Sequence, residues 1–322
     1  MRYKILDGFS KIDLFIKSEI LQVVLLVFSL LILASTVFYI WGKGKPNANL
    51  TELKQRTNSW WIMISFATFA ILIDKSIAFP AIGFLSFVAF RELYSIFTFR
   101  QSDRKAIFLA LLSIPVQYYL ASLGVFKNFI IFIPIVVFVL LPISLVLAGD
   151  TKGIIKSMAS LQWSLMLTVF GLSHMAFFLS LPEISNFENG GQGLIVFLIF
   201  LSQVNDILQF IFGKLFGKHK ITPNISPNKT WEGFLGGLIC TVIIGYFLQF
   251  LTPMSVLQTV IASLLIGVSG FFGDLILSAI KRDLGLKNTS TAIPGHGGYL
   301  DRIDSLLLST PLFFHLIYYW FY

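Results

Sequence analysis

Near the carboxyl end the chain reads Ser278-Ala-Ile-Lys281-Arg282, then Lys287-Asn288, then Pro294-Gly-His296-Gly-Gly-Tyr-Leu-Asp301-Arg302-Ile-Asp304. Residues 278–304 thus gather cations, carboxylates, a histidine and glycines in a chain that is otherwise largely apolar. Carboxylate oxygens are hard ligands that suit Mg²⁺, which takes one or two of them and fills its shell with phosphate oxygens. Lysine, arginine and hydroxyl groups neutralise and hydrogen-bond phosphate. The mixture suits a site for a polyphosphate and a metal ion. Asp301 and Asp304, three residues apart, can aim at one ion, although Arg302 between them equally serves as an ion-pair partner. Asp274, in Gly270-Phe-Phe-Gly273-Asp274, offers a third carboxylate, with Lys281 on the same helical face as its structural alternative. His296 stands among Gly295, Gly297 and Gly298, which let a loop approach a ligand closely. A structural hydrogen bond is its competing role, and with no second histidine at ligand spacing zinc is not expected.

Two further groups lie upstream. Ser202, Asn205, Asp206 and Gln209 fall at offsets of three and four, so they share one helical face inside an apolar run. An ionisable residue inside a membrane span costs at least about 2.5–3.5 kcal/mol, which makes Asp206 a site candidate; a polar contact between helices is the alternative. Next come Phe212-Gly-Lys214-Leu-Phe-Gly217-Lys218-His219-Lys220 and Ser226-Pro-Asn-Lys229-Thr230-Trp-Glu232-Gly233. Lys218, Ser226, Lys229 and Thr230 can cradle phosphate, and Thr230 followed by Glu232 predicts a helix start near 230. The same loop also fits anionic lipid headgroups. Its spacing is not that of a Walker A loop, so no P-loop is expected.

The elements that must position these residues follow from composition. Of 322 residues, 56% are hydrophobic and 12% charged, with 34 phenylalanines; soluble domains carry roughly 25% charged residues. Apolar segments at about 20–41, 59–73, 76–90, 106–124, 129–148, 162–181, 193–212, 233–252, 255–280 and 305–321 approach the roughly 20 residues that cross a bilayer. Backbone groups in lipid must be satisfied within the segment, which requires helices. The expectation is an all-α, polytopic integral membrane protein with about nine or ten spans, an amino-terminal region 1–190 and a catalytic region 191–322. Basic residues crowd the loops 91–105, 149–160, 213–232 and 281–304, whereas 182–192 holds Glu183 and Glu188 without lysine or arginine. The positive-inside rule puts the basic side in the cytoplasm. Ten spans then leave the basic amino-terminal segment outside, and nine would remove that conflict. The net charge of +8 reads as these loops rather than as a nucleic-acid surface. Cys240 is the one cysteine, which excludes an internal disulfide.

With these residues the sequence resembles the phosphatidate cytidylyltransferase (CDP-diacylglycerol synthase) family, whose signature S-x-x-K-R, four residues, K-D, P-G-H-G-G, two residues, D-R-x-D has the spacing found from Ser278 to Asp304. The stretch from Asp206 to Gly237 and the element Phe90-Arg91-Glu92-Leu-Tyr are similar too. The resemblance implies that CTP and phosphatidate yield CDP-diacylglycerol and pyrophosphate with Mg²⁺, in a bacterial inner membrane with the active site facing the cytoplasm, and it suggests a homodimer. It implies Asp274, Asp301 and Asp304 as metal ligands with Asp206 nearby. Ser226, Lys229, Lys281 and Arg282 would hold phosphates, with Lys218, Thr230, Ser278 and Lys287 beside them, and His296 with Arg302 would shape the catalytic loop. Two positions depart: Asn288 stands where the pattern has Asp, and Tyr299 where it has an aliphatic residue. Competing readings are a transporter or lipid flippase using Asp206 and Asp274 as ion relays, a member acting on another lipid phosphate, and a non-catalytic relative.

Overall fold

The structure, a computed structural model, describes residues 18–44, 48–72, 74–185, 187–290, 292–293 and 297–322. Helices dominate it, because apolar runs that face lipid must satisfy their own backbone. In chain order they are α1 (Ser18–Gly44), α2 (Ala48–Leu72), α3 (Lys75–Ser95), α4 (Arg104–Ser122), α5 (Phe126–Val146) and α6 (Ile154–Phe178). There follow α7 (Gly190–Phe216), a hairpin of β1 (Lys220–Thr222) and β2 (Ser226–Thr230), α8 (Trp231–Phe247), α9 (Val256–Asp283), the single turn α10 (Leu300–Ile303) and α11 (Leu306–Phe321). The two strands pair antiparallel, Lys220 opposite Thr230 and Thr222 opposite Ser226.

Seven of the described helices, α1, α3, α4, α5, α6, α7 and α9, are long and apolar enough to cross a membrane. The expected nine or ten spans therefore need shorter helices as well. Both α8 and α11 run between the same two ends of the molecule. Tyr322, at the end of α11, donates its hydroxyl to the Pro182 carbonyl at 2.8 Å, while Asp304 precedes the start of α11 beside Gly273 of α9. The described part of the basic loops gathers at one end. Arg100 donates to the carbonyls of Asp150 and Lys152, Lys156 to Thr98, and Arg282 to the Ile225 carbonyl. At the opposite end Asn189 donates to the Glu19 carboxyl group at 2.5 Å and to the Phe250 carbonyl at 3.0 Å.

Buried aromatic rings join the middle and last thirds of the chain: Phe314 of α11 packs on His174, Phe177 and Phe178 of α6, with ring centres 5.0–5.5 Å apart. The expected boundary at 190/191 crosses this packed interface. Glycines let α7 and α8 approach most closely. A Cβ on Gly233 would lie 2.7 Å from the Gln209 carbonyl oxygen, and one on Gly237 would lie 2.5 Å from Gln209 Cγ. Four-residue spacing of small residues is how membrane helices come together where no hydrophobic force separates lipid from protein.

Candidate active site

Asp206 lies on α7, one residue after an amide that locks three helices. Asn205 is fully buried; its Nδ2 donates to the Gly267 carbonyl of α9 at 3.2 Å, and its Oδ1 accepts from the Thr241 hydroxyl of α8 at 3.1 Å. The registry of α7, α8 and α9 is therefore set immediately beside Asp206. Asp274 descends from α9, whose Gly273 backs onto the end of α10: a Cβ there would stand 2.6 Å from the Asp304 carbonyl oxygen. Only a bare backbone allows that approach, and it is what sets Asp274 beside Asp304.

The three carboxylates of Asp206, Asp274 and Asp304 are close enough to feel one another's charge, and Lys229, Lys281 and Arg302 surround them. Lys229, carried in by β2, places its Nζ 2.6 Å from Asp274 Oδ2 and 4.4 Å from the ring centre of Phe271. Ser278, one turn along α9, donates to Asp274 Oδ1 at 3.1 Å. Asp304 lies outside the long spans. Its withdrawal from water, reinforced by the carboxylates of Asp274 and Asp206, pushes its carboxyl group well above the usual range. Arg302 Nε is buried without a hydrogen-bond partner among the described residues. The cluster thus contains equal numbers of acidic and basic side chains, one of the latter with unspent hydrogen-bonding capacity.

Asp301 is set apart from this trio. Its Oδ1 holds Lys281 Nζ at 2.7 Å, and its Oδ2 accepts from the Thr289 and Gly298 amides, each at 3.1 Å, with the Thr289 hydroxyl oxygen also 3.1 Å away. A carboxylate so held organises the loop, and its Oδ1, with Lys281 as its one partner among the described residues, keeps a free lone pair. Thr230, buried, caps α8 by accepting from the Gly233 amide at 3.2 Å, as its spacing suggested, so its hydroxyl serves the helix start. Glu232 accepts from the amides of Lys218 and His219 and pairs with His219 Nδ1 at 2.6 Å, fastening the hairpin to α8. Ser226 opens β2 and is partly exposed, and Lys218, Arg282 and Lys287 are exposed. His296 lies outside the described residues. Sequence reasoning gave no role to Thr289 and none beyond family likeness to Glu92, which contacts the same loop from α3.

Residues 54–320 match the cytidylyltransferase family. The chain belongs to that family. Among its relatives, the uncharacterized protein YnbB of Escherichia coli (strain K12) is 38% identical over 296 residues, 91% of this chain and 96% of the relative. The phosphatidate cytidylyltransferases of Staphylococcus epidermidis (strain ATCC 35984) and Staphylococcus aureus (strain COL) are 38% and 41% identical over 130 and 132 residues. Each alignment covers 39% of this chain and 50% of the staphylococcal enzyme, so the chain spans about half the length of those two relatives. As a cytidylyltransferase the protein is a nucleotidyltransferase of multi-pass helical build, working with a CTP-type nucleotide.

The donor chemistry around Asp206, Asp274 and Asp304 fits Mg²⁺ in one specific manner. Among the described residues no three carboxylate, imidazole or thiol side chains converge tightly enough to cage an ion by themselves. A Mg²⁺ ion ordinarily takes one or two carboxylates and completes its shell with water and substrate phosphates. Asp304 and Asp274 are suited to that partial role, Asp274 only once Lys229 moves off it.

Proposed function

We propose that this cytidylyltransferase joins CTP to phosphatidate, forming CDP-diacylglycerol and releasing pyrophosphate. The observation that carries the reading is the cluster of Asp206, Asp274 and Asp304 with Lys229, Lys281 and Arg302, at the end of the molecule where the basic loops gather. A phosphate oxygen of phosphatidate attacks the α-phosphorus of CTP, and the bond from that phosphorus to the bridging oxygen of the β-phosphate breaks. Charge on the nucleotide phosphates calls for cations, and Lys229 and Arg302 can turn to them. Lys281, held on Asp301, keeps the loop and α9 at fixed distance. Mg²⁺ would supply charge neutralisation at the phosphates when bound, and Asp274 and Asp304, with Asp206 beside them, would hold it. The lipid arrives from the bilayer between helices, and the nucleotide from the aqueous side.

The positive-inside rule makes the basic end cytoplasmic, which suits a CTP site in a bacterial inner membrane. A homodimer belongs to the same proposal. Purified protein given labelled CTP, phosphatidate and Mg²⁺ is expected to form a labelled liponucleotide, and cross-linking in native membranes a dimer band. Absence of labelled product with phosphatidate, but not with another lipid phosphate, would move the acceptor. Absence with every lipid phosphate would reject the reading. Asn288 favours including that wider panel: its side chain lies 3.1 Å from a Cβ placed on Gly297, so it edges the same loop.

A further inference from the structure

Glu92 belongs to α3, nearly 200 residues before the signature loop, and is only 8% exposed. Its Oε1 accepts from the hydroxyl of Thr289, and its Oε2 accepts from the backbone amide of Leu300 at 3.1 Å. That same Thr289 hydroxyl lies 3.1 Å from Asp301 Oδ2, and the Thr289 amide donates to the same oxygen. Gly298 closes the arrangement. Any Cβ there would collide with Glu92 Oε1 and the Thr289 hydroxyl, so only glycine lets the loop pass. One carboxyl group therefore grips the loop at two points, at Thr289 before the tip and at Leu300 after it.

From these contacts we infer that Glu92 is the positioning residue for the loop that carries Asp301, Arg302 and Asp304. Leu300 directly precedes Asp301, and α10 then leads within one turn to Asp304. With Leu300 held by α3 and the Asp304 carbonyl pressed on Gly273 of α9, both ends of α10 are pinned to different helices. Lys281 is fixed indirectly, through Asp301. Glu92 touches no reacting group; it acts through the loop. The part of this inference that concerns catalysis rests on the proposed cytidylyl transfer, whereas the part that concerns loop order does not.

The test uses the full-length protein in nanodiscs. Glu92→Gln keeps the shape of the side chain but leaves one acceptor oxygen for two donors. It is expected to lower kcat about 10–100-fold, the usual effect of losing a residue that orients a catalytic group, with KM for CTP within about threefold. Hydrogen exchange of the amides at 297–304 should rise by about tenfold while the rest of the bundle is unchanged. Thr289→Val should give a smaller loss, and the double variant should be no worse than Glu92→Gln alone, because both substitutions break one chain of contacts. Unchanged exchange at 297–304, or a kcat within twofold of the parent, would overturn the inference. So would a loss of kcat accompanied by faster exchange throughout the bundle. If the parent protein transfers nothing from CTP, the functional reading falls, and the exchange data still decide whether Glu92 orders the loop.

Discussion

Asp304 illustrates what a cluster of like charges does to one group. Its proton is held more tightly in the folded protein than in the unfolded chain, where a carboxyl group titrates near about 3.9. Between that value and the raised folded one, the native state binds a proton that the unfolded chain has released, so stability falls as pH rises through the window. Metal-free protein should therefore lose melting temperature on going from acid to neutral pH, and Asp304→Asn should flatten the profile. An unaltered slope in that variant would move the effect to another group. Lys229 gives a second test. A hydrogen bond to a charged group is worth about 1.5–3 kcal/mol, so Lys229→Met should weaken CTP binding roughly 10–100-fold by calorimetry, without unfolding the protein. Asp206 and Asp274 were legible in the sequence because a carboxylate in an apolar run has few structural excuses. Asp301 was marked as a candidate too, but its enclosure was not legible, since that depends on Thr289 and Gly298 folding back over it, which spacing alone cannot express.

The helices α7, α8 and α9 behave as one unit around Asn205. Their existence was plain from the length of the apolar runs. Their mutual registry was not, because it is written in which glycine meets which neighbour. Gly273 extends the same device from α9 to the end of α10. Gly273→Ala must push α9 away from the Asp304 carbonyl by several tenths of an ångström, and misplacement on the scale of an ångström can cost about 10²-fold in rate. The expected result is a fall in kcat of at least about tenfold with CTP binding retained; unchanged kcat would mean that α10 moves freely. The hairpin was visible only as a basic loop, since three- and five-residue strands of mixed polarity carry no alternating pattern. Helix α2 likewise starts at Ala48, inside a polar stretch, well before the apolar run at 59.

At the scale of the whole molecule, the loop charges segregate to one end. Arg100, Lys156, Arg282 and Lys229 share one end, and Glu19 and Asn189 mark the other. With Cys240 replaced by serine, Ser102→Cys and Ser185→Cys should react with an impermeant maleimide from opposite faces. The second should label in intact cells and the first only after permeabilisation, whereas labelling of both from one face would remove the proposed orientation. What no local pattern revealed is that the loop at 289–304 is completed by a residue from the first third of the chain. The Glu92 contact spans 208 residues to Leu300, and synthesis proceeds at roughly 5–20 residues per second. Glu92 is thus in place on the order of 10–40 seconds before its partner is made, so the last loop closes onto a support already waiting in the membrane.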